Sequence, residues 1–279
     1  GMYSSLLNGT SNLLSGQYGL IGNGSANNVS GLKGTIVNGT ENCATVDYAT
    51  VLSGDSNIAS GIHSTILNGF VQQAIGACSL IGNGYNNTAC SCTSVVLAGC
   101  QNQLFSSSYG VIGNGVYNRL CNAAGESAAV YSFIGNGTGH NTTGGTYLNC
   151  NWAGGLPTPC DAGCFSFIGN GFQNRTGTPY ATVLNGCCNV AATNNAAILN
   201  GFCNSTNIEQ YQFVANGFCN AAGGRYASVI NGLCNSISGR YNTIANGDCN
   251  TIVTAIRSFI GSGNANGINI AGFTGHAFI

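Results

Sequence analysis

The chain has 279 residues, of which only 5% are charged, and its six Lys and Arg against seven Asp and Glu leave a net charge of −1. That balance lacks the basic footprint of a nucleic-acid binder, and no apolar run approaches the roughly 18–20 residues of a membrane span. Polarity comes instead from Gly, Asn, Ser and Thr, and the chain enters a regular pattern at Tyr3 without the charged and then apolar regions of a signal peptide.

From Tyr3 onward a unit of about fifteen residues repeats, most regularly in YASVINGLCNSISGR (226–240) and YNTIANGDCNTIVTA (241–255). With Tyr226 as position 1, position 7 is glycine in sixteen copies: Gly9, Gly24, Gly39, Gly54, Gly69, Gly84, Gly99, Gly115, Gly137, Gly171, Gly186, Gly201, Gly217, Gly232, Gly247 and Gly263. Fifteen residues are too few for a strand plus a helix, and no stretch holds apolar residues at 3.6 spacing. Each unit is therefore expected to be one turn of a parallel β-solenoid (a β-roll or β-helix), all-β, in a single domain over 1–279. Turns about 4.8 Å apart would stack into a rod roughly 75–80 Å long.

The turns from Gly9 to Gly115 establish the rows. Position 4 is aliphatic throughout, first in Leu6, Ile21, Ile36, Val51, Ile66, Ile81, Val96 and Ile112, and later in Ile134, Ile168, Val183, Ile198, Val214, Val229, Ile244 and Ile260. This is the expected core. Position 12 is a second, smaller inward row, with Val29, Ala44, Ala59, Ala74 and Ala89 among its members. Asn fills position 6 in thirteen copies and position 10 in fourteen, which predicts two asparagine ladders, with the Asn-Gly pair supplying a tight turn.

Positions 3 and 5 point away from position 4 and trade volume turn by turn. Leu20 goes with Gly22, Leu80 with Gly82, Phe133 with Gly135, Phe167 with Gly169 and Phe259 with Gly261; Thr50 goes with Leu52, Thr65 with Leu67, Thr182 with Leu184 and Ser228 with Ile230. Phe213 belongs to the same row. A solvated strand face has no reason to hold its thickness constant or to be this apolar. A second buried face is expected, packed against another subunit; a second layer of the same coil is the alternative.

Between Gly115 and Gly137, and between Gly137 and Gly171, the spacing widens to 22 and 34 residues. Inserted loops are expected near 122–129 and 143–164, and Cys150 and Cys160 in the longer one are candidates for a disulfide staple. Beyond it, Cys188, Cys203, Cys219, Cys234 and Cys249 occupy position 9 of five successive turns. Stacked free thiols and inter-turn disulfides are both open for this row. Position 1 is Tyr in nine copies, and Tyr226 and Tyr241 with Arg225 and Arg240 are the candidate glycan contact, although stacking along an edge serves equally well. The remaining stretch, 268–279, reads as a cap or docking tail.

Of nine Asn-x-Ser/Thr sequons, Asn28, Asn86 and Asn141 lie outside both ladders and are the expected glycosylation positions, together with Asn174, which falls on the position-10 ladder but follows the long insertion; those at position 6 would be buried in a ladder. No metal spacing is present among the fifteen cysteines, the seven carboxylates are scattered over different positions, and the three histidines are isolated. No catalytic, metal or cofactor site is expected.

The pattern Tyr-Ser/Ala-x-Ile/Val-x-Asn-Gly-x-x-Asn-x-Ala-x-Gly resembles the SxxVxGGxxNxAxG repeats of YadA-like trimeric autotransporter adhesin heads and of related phage and large-virus fibre proteins. The resemblance covers almost the whole chain and implies a parallel β-roll, oligomeric as a trimer, acting as a surface stalk or adhesin. This chain departs from it in its Asn-Gly pairs, its cysteines and its large aromatic residues. The expected function is a non-enzymatic fibre or appendage subunit, extracellular or on a virion surface, partnered by copies of itself as a trimer or a filament. The alternative is an adhesin for surface glycans through the Tyr/Arg row. Ice binding is disfavoured by the broken threonine array at position 3.

Overall fold

The computed structural model describes residues 3–105, 108–120, 131–139, 165–269 and 277–279. The inserted stretches, with Asn141, Cys150 and Cys160, lie outside the described residues. Every regular element described is a short β-strand, no helix occurs among them, and the strands stack in parallel as a β-solenoid with a repeat of about fifteen residues.

Two compact units divide the chain, Gly1–Cys121 with Ile134–Asn136, and Asn122–Phe133 with Gly137–Ile279. In the first, the strands at positions 3–4 run from Ser5–Leu6 to Val111–Ile112 as one parallel sheet, and those at positions 11–12, Leu13–Leu14 to Arg119–Leu120, form an eight-stranded second sheet. The second unit repeats the plan, with Phe167–Ile168 to Phe259–Ile260 in one sheet and Arg175–Thr176 to Gly267–Asn269 in a seven-stranded other. A third side of each turn is a single parallel bridge at position 8, as in Thr10↔Ser25 and Phe218↔Leu233. Register is one whole unit per turn, so Leu20 pairs with Thr35 and Ile21 with Ile36.

Strands of two residues are short because three corners interrupt each turn. At position 7 the glycines have φ between 105° and 136°, a region closed to side chains. A Cβ on Gly24 would in addition meet the Gly39 carbonyl oxygen at 1.9 Å. The other two corners, at positions 1 and 9, are left-handed at non-glycine residues: φ is 54–62° along the Tyr row and 51–58° along the Cys row. Each costs about 1–2 kcal/mol against a relaxed backbone. Hydrogen bonds offset that strain. The left-handed peptide turns its N–H back to the preceding turn, so Tyr48 N donates to Leu32 O (2.8 Å) and Cys249 N to Leu233 O (2.8 Å). Forward donors such as Gly22 N to Ile36 O (2.9 Å) and Ser25 N to Gly39 O (3.0 Å) tie each turn to the next.

The core is narrow. Position 4 is fully buried from Ile21 to Ile260, and position 12 joins it through Val29, Ala44, Leu104, Ala222 and Ile252. A third inward row, at position 2, consists of small residues such as Ala49, Ser64, Ser94, Ala181 and Ala227, all buried. Each buried Ile or Val contributes about 1.5–3 kcal/mol.

Of the two expected asparagine ladders, position 10 forms the continuous buried one, whereas at position 6 Asn231 Nδ2 reaches Asn246 Oδ1 at 3.4 Å on the exposed surface. At position 10, Asn27 Nδ2 donates to Gly39 O (2.8 Å), Asn27 N donates to Asn12 Oδ1 (3.0 Å), and Asn27 Oδ1 accepts Asn42 N (3.0 Å). The same bonds recur from Asn174 to Asn250, where every Asn of the row is fully buried. At position 6 the amides face solvent. Asn8 Oδ1 accepts the N–H of its own Gly9 (2.8 Å), a local turn contact rather than a rung between turns.

The C-terminal stretch has two parts. Ile268 is a buried position-12 residue within the Gly267–Asn269 strand. Ala277–Ile279 then pairs in parallel on the last first-sheet strand: Gly261 N donates to Ile279 O (2.7 Å), and the Phe259 and Phe278 rings stack at 5.1 Å.

Candidate functional site

With positions 2, 4, 10 and 12 turned inward, chemistry is left to the outward rows. The most continuous is the outer face of the first sheet. Position 3 is half-buried in nearly every turn, whereas position 5 is open to solvent where it carries a large side chain, with Leu52 41% exposed and Leu184 49%. Among the described residues no second layer of the coil covers these side chains, and they form an outer apolar face in each unit.

The volume exchange along this face is a direct contact within a turn. The Phe167 ring lies over Gly169, where an added Cβ would sit 3.3 Å from its Cε1, and Phe259 lies over Gly261 in the same way. Phe133 stacks on Phe167 at 5.4 Å with planes 10° apart. Where position 3 is Thr, as at Thr50, position 5 supplies the bulk through Leu52. No ionisable side chain occurs at position 3 or 5 in any turn.

At the Tyr corner, Tyr211, Tyr226 and Tyr241 stack at 5.0 Å intervals, so both faces of the Tyr226 ring are covered by its neighbours. Arg225 lies over Tyr226 at 5.3 Å. Arg240 turns to Glu209, two turns back, through Nε (2.9 Å to Oε1) and a terminal nitrogen (2.8 Å), and this bidentate pair holds its guanidinium further toward the protonated form. The row thus has the geometry of stacking along an edge, the other reading of these residues. Sugar rings stack on open aromatic faces, and at Tyr226 only the edge and hydroxyl are presented.

The sequon assignment is corrected at Asn174. Its side chain is fully buried in the position-10 ladder, with Nδ2 bonded to Asn170 O (3.0 Å) and Gly186 O (2.8 Å), so the folded chain offers no amide there for a glycan. Asn28 and Asn86 are half-buried. The exposed sequon amides are those at position 6, Asn8, Asn23, Asn38 and Asn136, which the two-ladder expectation set aside. A signal for this was present: position 10 admits only Gln72 and His140 as replacements, whereas position 6 admits Ser53, Ala98 and Ser262.

In the position-9 row Cys219, Cys234 and Cys249 are free thiols, whereas the Cys188 sulfur lies 3.3 Å from that of Cys187 and donates to Gln173 Oε1 at 3.6 Å. Among the described residues no group of three or more His, Cys, Asp and Glu side chains could hold a metal ion, and no helix is long and apolar enough to cross a membrane. No family model matches the chain, and no curated protein matches it.

Proposed function

We propose that this chain is a non-enzymatic structural subunit of a fibre or appendage on a cell or virion surface, and that it associates with copies of itself through the outer face of the first sheet. The observation that carries this reading is the pairing of Phe167 with Gly169 and of Thr50 with Leu52: an outward sheet face without ionisable side chains, on which the bulk passes between positions 3 and 5 in most turns. An exposed apolar patch beyond a few hundred Å² on a soluble protein marks an interaction site. A face of this kind accepts another such face, whereas a glycan reader needs open ring faces and polar pockets. The scarcity of charge suits a packed assembly, in which isolated charges would be desolvated at a cost.

The experiment compares the native chain with the Leu52→Arg/Leu184→Arg variant, one arginine in each unit, by light scattering and negative-stain imaging. The native chain should appear as trimers or longer assemblies. The variant should be monomeric with an unchanged circular dichroism spectrum, since both side chains are outward. A monodisperse native monomer at high concentration would overturn the reading.

A further inference from the structure

The two outward rows of the first sheet are not equivalent. In eight turns the larger side chain stands at position 5, from Leu7 through Leu52, Leu97 and Leu184 to Ile230, and all eight are exposed. Beside each, position 3 holds a smaller residue such as Thr50, Thr182 or Ala197. Row 5 is therefore a ridge and row 3 a shelf. The order reverses where Leu20 stands beside Gly22 and Leu80 beside Gly82. In turns such as that of Phe167 the ring lies over its own Gly169 and levels the two rows.

These rows decide how a second copy can lie on the first. With the two solenoids running in opposite directions, row 5 meets row 5: ridge strikes ridge, and the shelves face each other across a gap. With both running the same way about a two-fold axis along the solenoid, row 5 of each copy lies over row 3 of the other, and Leu184 fills the space above the second copy's Thr182. Register follows from the reversed turns. Opposed turn for turn, Leu20 enters the space at the second copy's Gly22; a shift of one turn sets it against Val37 or Leu7, large on large. A two-fold axis lays the faces fully together, whereas around a three-fold axis they meet at an angle and touch along their edges.

We propose that each unit pairs with the same unit of a second copy, parallel and turn for turn, about a two-fold axis along the solenoid. This pairing rests on the association through the same face proposed above, and the pair is the building block of the longer assemblies. No ionisable side chain occurs in either row, so identical surfaces meet without like-charge repulsion. Eight first-sheet strands in the first unit and seven in the second, about 4.8 Å apart and about 10 Å across positions 3–5, offer roughly 700 Å² per copy. A pair thus covers roughly 1,400 Å², within the about 1,200–2,000 Å² of stable specific interfaces.

The test exchanges ridge and shelf in one turn of each unit. T50L/T182L fills the shelf, L52T/L184T removes the ridge, and T50L/L52T/T182L/L184T swaps the two; Val95 beside Leu97 shows that one turn holds two large side chains. In a sedimentation dilution series each two-residue variant should self-associate more weakly than the native chain by about tenfold or more. The four-residue variant should recover the native affinity, because the bulk moves from one row to the other in both copies at once, and the smallest associated species should hold two copies. Failure of the four-residue variant to recover, tighter association of T50L/T182L, or a smallest species of three copies would overturn this pairing. In any of those cases a monomeric Leu52→Arg/Leu184→Arg variant leaves the face an interface and only its geometry wrong. Circular dichroism verifies folding, and in any variant that has lost its β signal the exchange moves to Thr65 and Leu67 in the first unit and to Ser228 and Ile230 in the second.

Discussion

The backbone N–H of Asn87 donates to Gln72 Oε1 at 2.9 Å, as it would to an asparagine of the ladder, while Gln72 Nε2 is buried without a partner. The extra methylene preserves the accepting end of the rung and misplaces the donating one. Asn in the neighbouring turn places its Nδ2 2.9 Å from the Gly69 carbonyl. Gln72→Asn should restore the equivalent bond to Gly84 O and relieve an unsatisfied donor, raising stability by about 1 kcal/mol. Thermal unfolding of the variant beside the native chain measures this, and a lowered midpoint would contradict it.

The position-2 row offers a paired test. Ser64 and Ser79 have buried hydroxyls with no partner, whereas Ser94 Oγ donates to Ser91 O at 2.6 Å. Alanine already occupies this row at Ala49 and Ala181, so it fits. Ser64→Ala and Ser79→Ala should each be neutral or stabilising by up to about 1 kcal/mol, and Ser94→Ala should destabilise by about 1 kcal/mol. Chemical denaturation of the three single variants would show the difference in sign.

The position-7 glycines should be intolerant of any side chain. Gly24→Ala combines φ of 118° with a Cβ 1.9 Å from the Gly39 carbonyl, and relief of that clash requires successive turns to separate. A loss of about 3 kcal/mol or more is expected. By contrast, Ala26→Gly, at a left-handed corner with φ of 55°, should be neutral or mildly stabilising.

Burial raises the thiol pKa of Cys43 and of Cys90 above the ordinary value of 9.0. The folded chain therefore holds these protons more tightly than the unfolded one. Their contribution to stability is complete below about pH 9 and is lost as pH rises through the folded values. The effect is modest, because both side chains are partly solvated. Melting curves between pH 7 and pH 10.5 should show an alkaline decline, and the decline should be shallower in Cys43→Ala/Cys90→Ala.

The solenoid was legible because position 4 is aliphatic in every turn and position 7 is always glycine, so period and register could both be read. The buried position-2 row was not, since Ser64, Ala49 and Gly34 look like turn residues when met singly and become a core row only once the coil is closed. Nor were the left-handed corners at Tyr226 and Cys234, because that conformation ordinarily announces itself as Gly or Asn. Here inter-turn hydrogen bonds impose it on whatever residue stands there. The two asparagine rows share one residue type, and only the wider tolerance of position 6 separates the exposed from the buried. The apolar outer face was readable from the exchange at Phe167 and Gly169, whose ring-over-glycine contact is the literal form of the volume compensation.

Because each turn repeats the same corners, one turn is mechanically interchangeable with another. Excision or duplication of a whole fifteen-residue unit away from the insertions would leave the glycine corners, the asparagine ladder and the outer face continuous across the join. Length is thus a variable that a lineage can alter without redesigning the cross-section, in the way a mason lengthens a wall by courses.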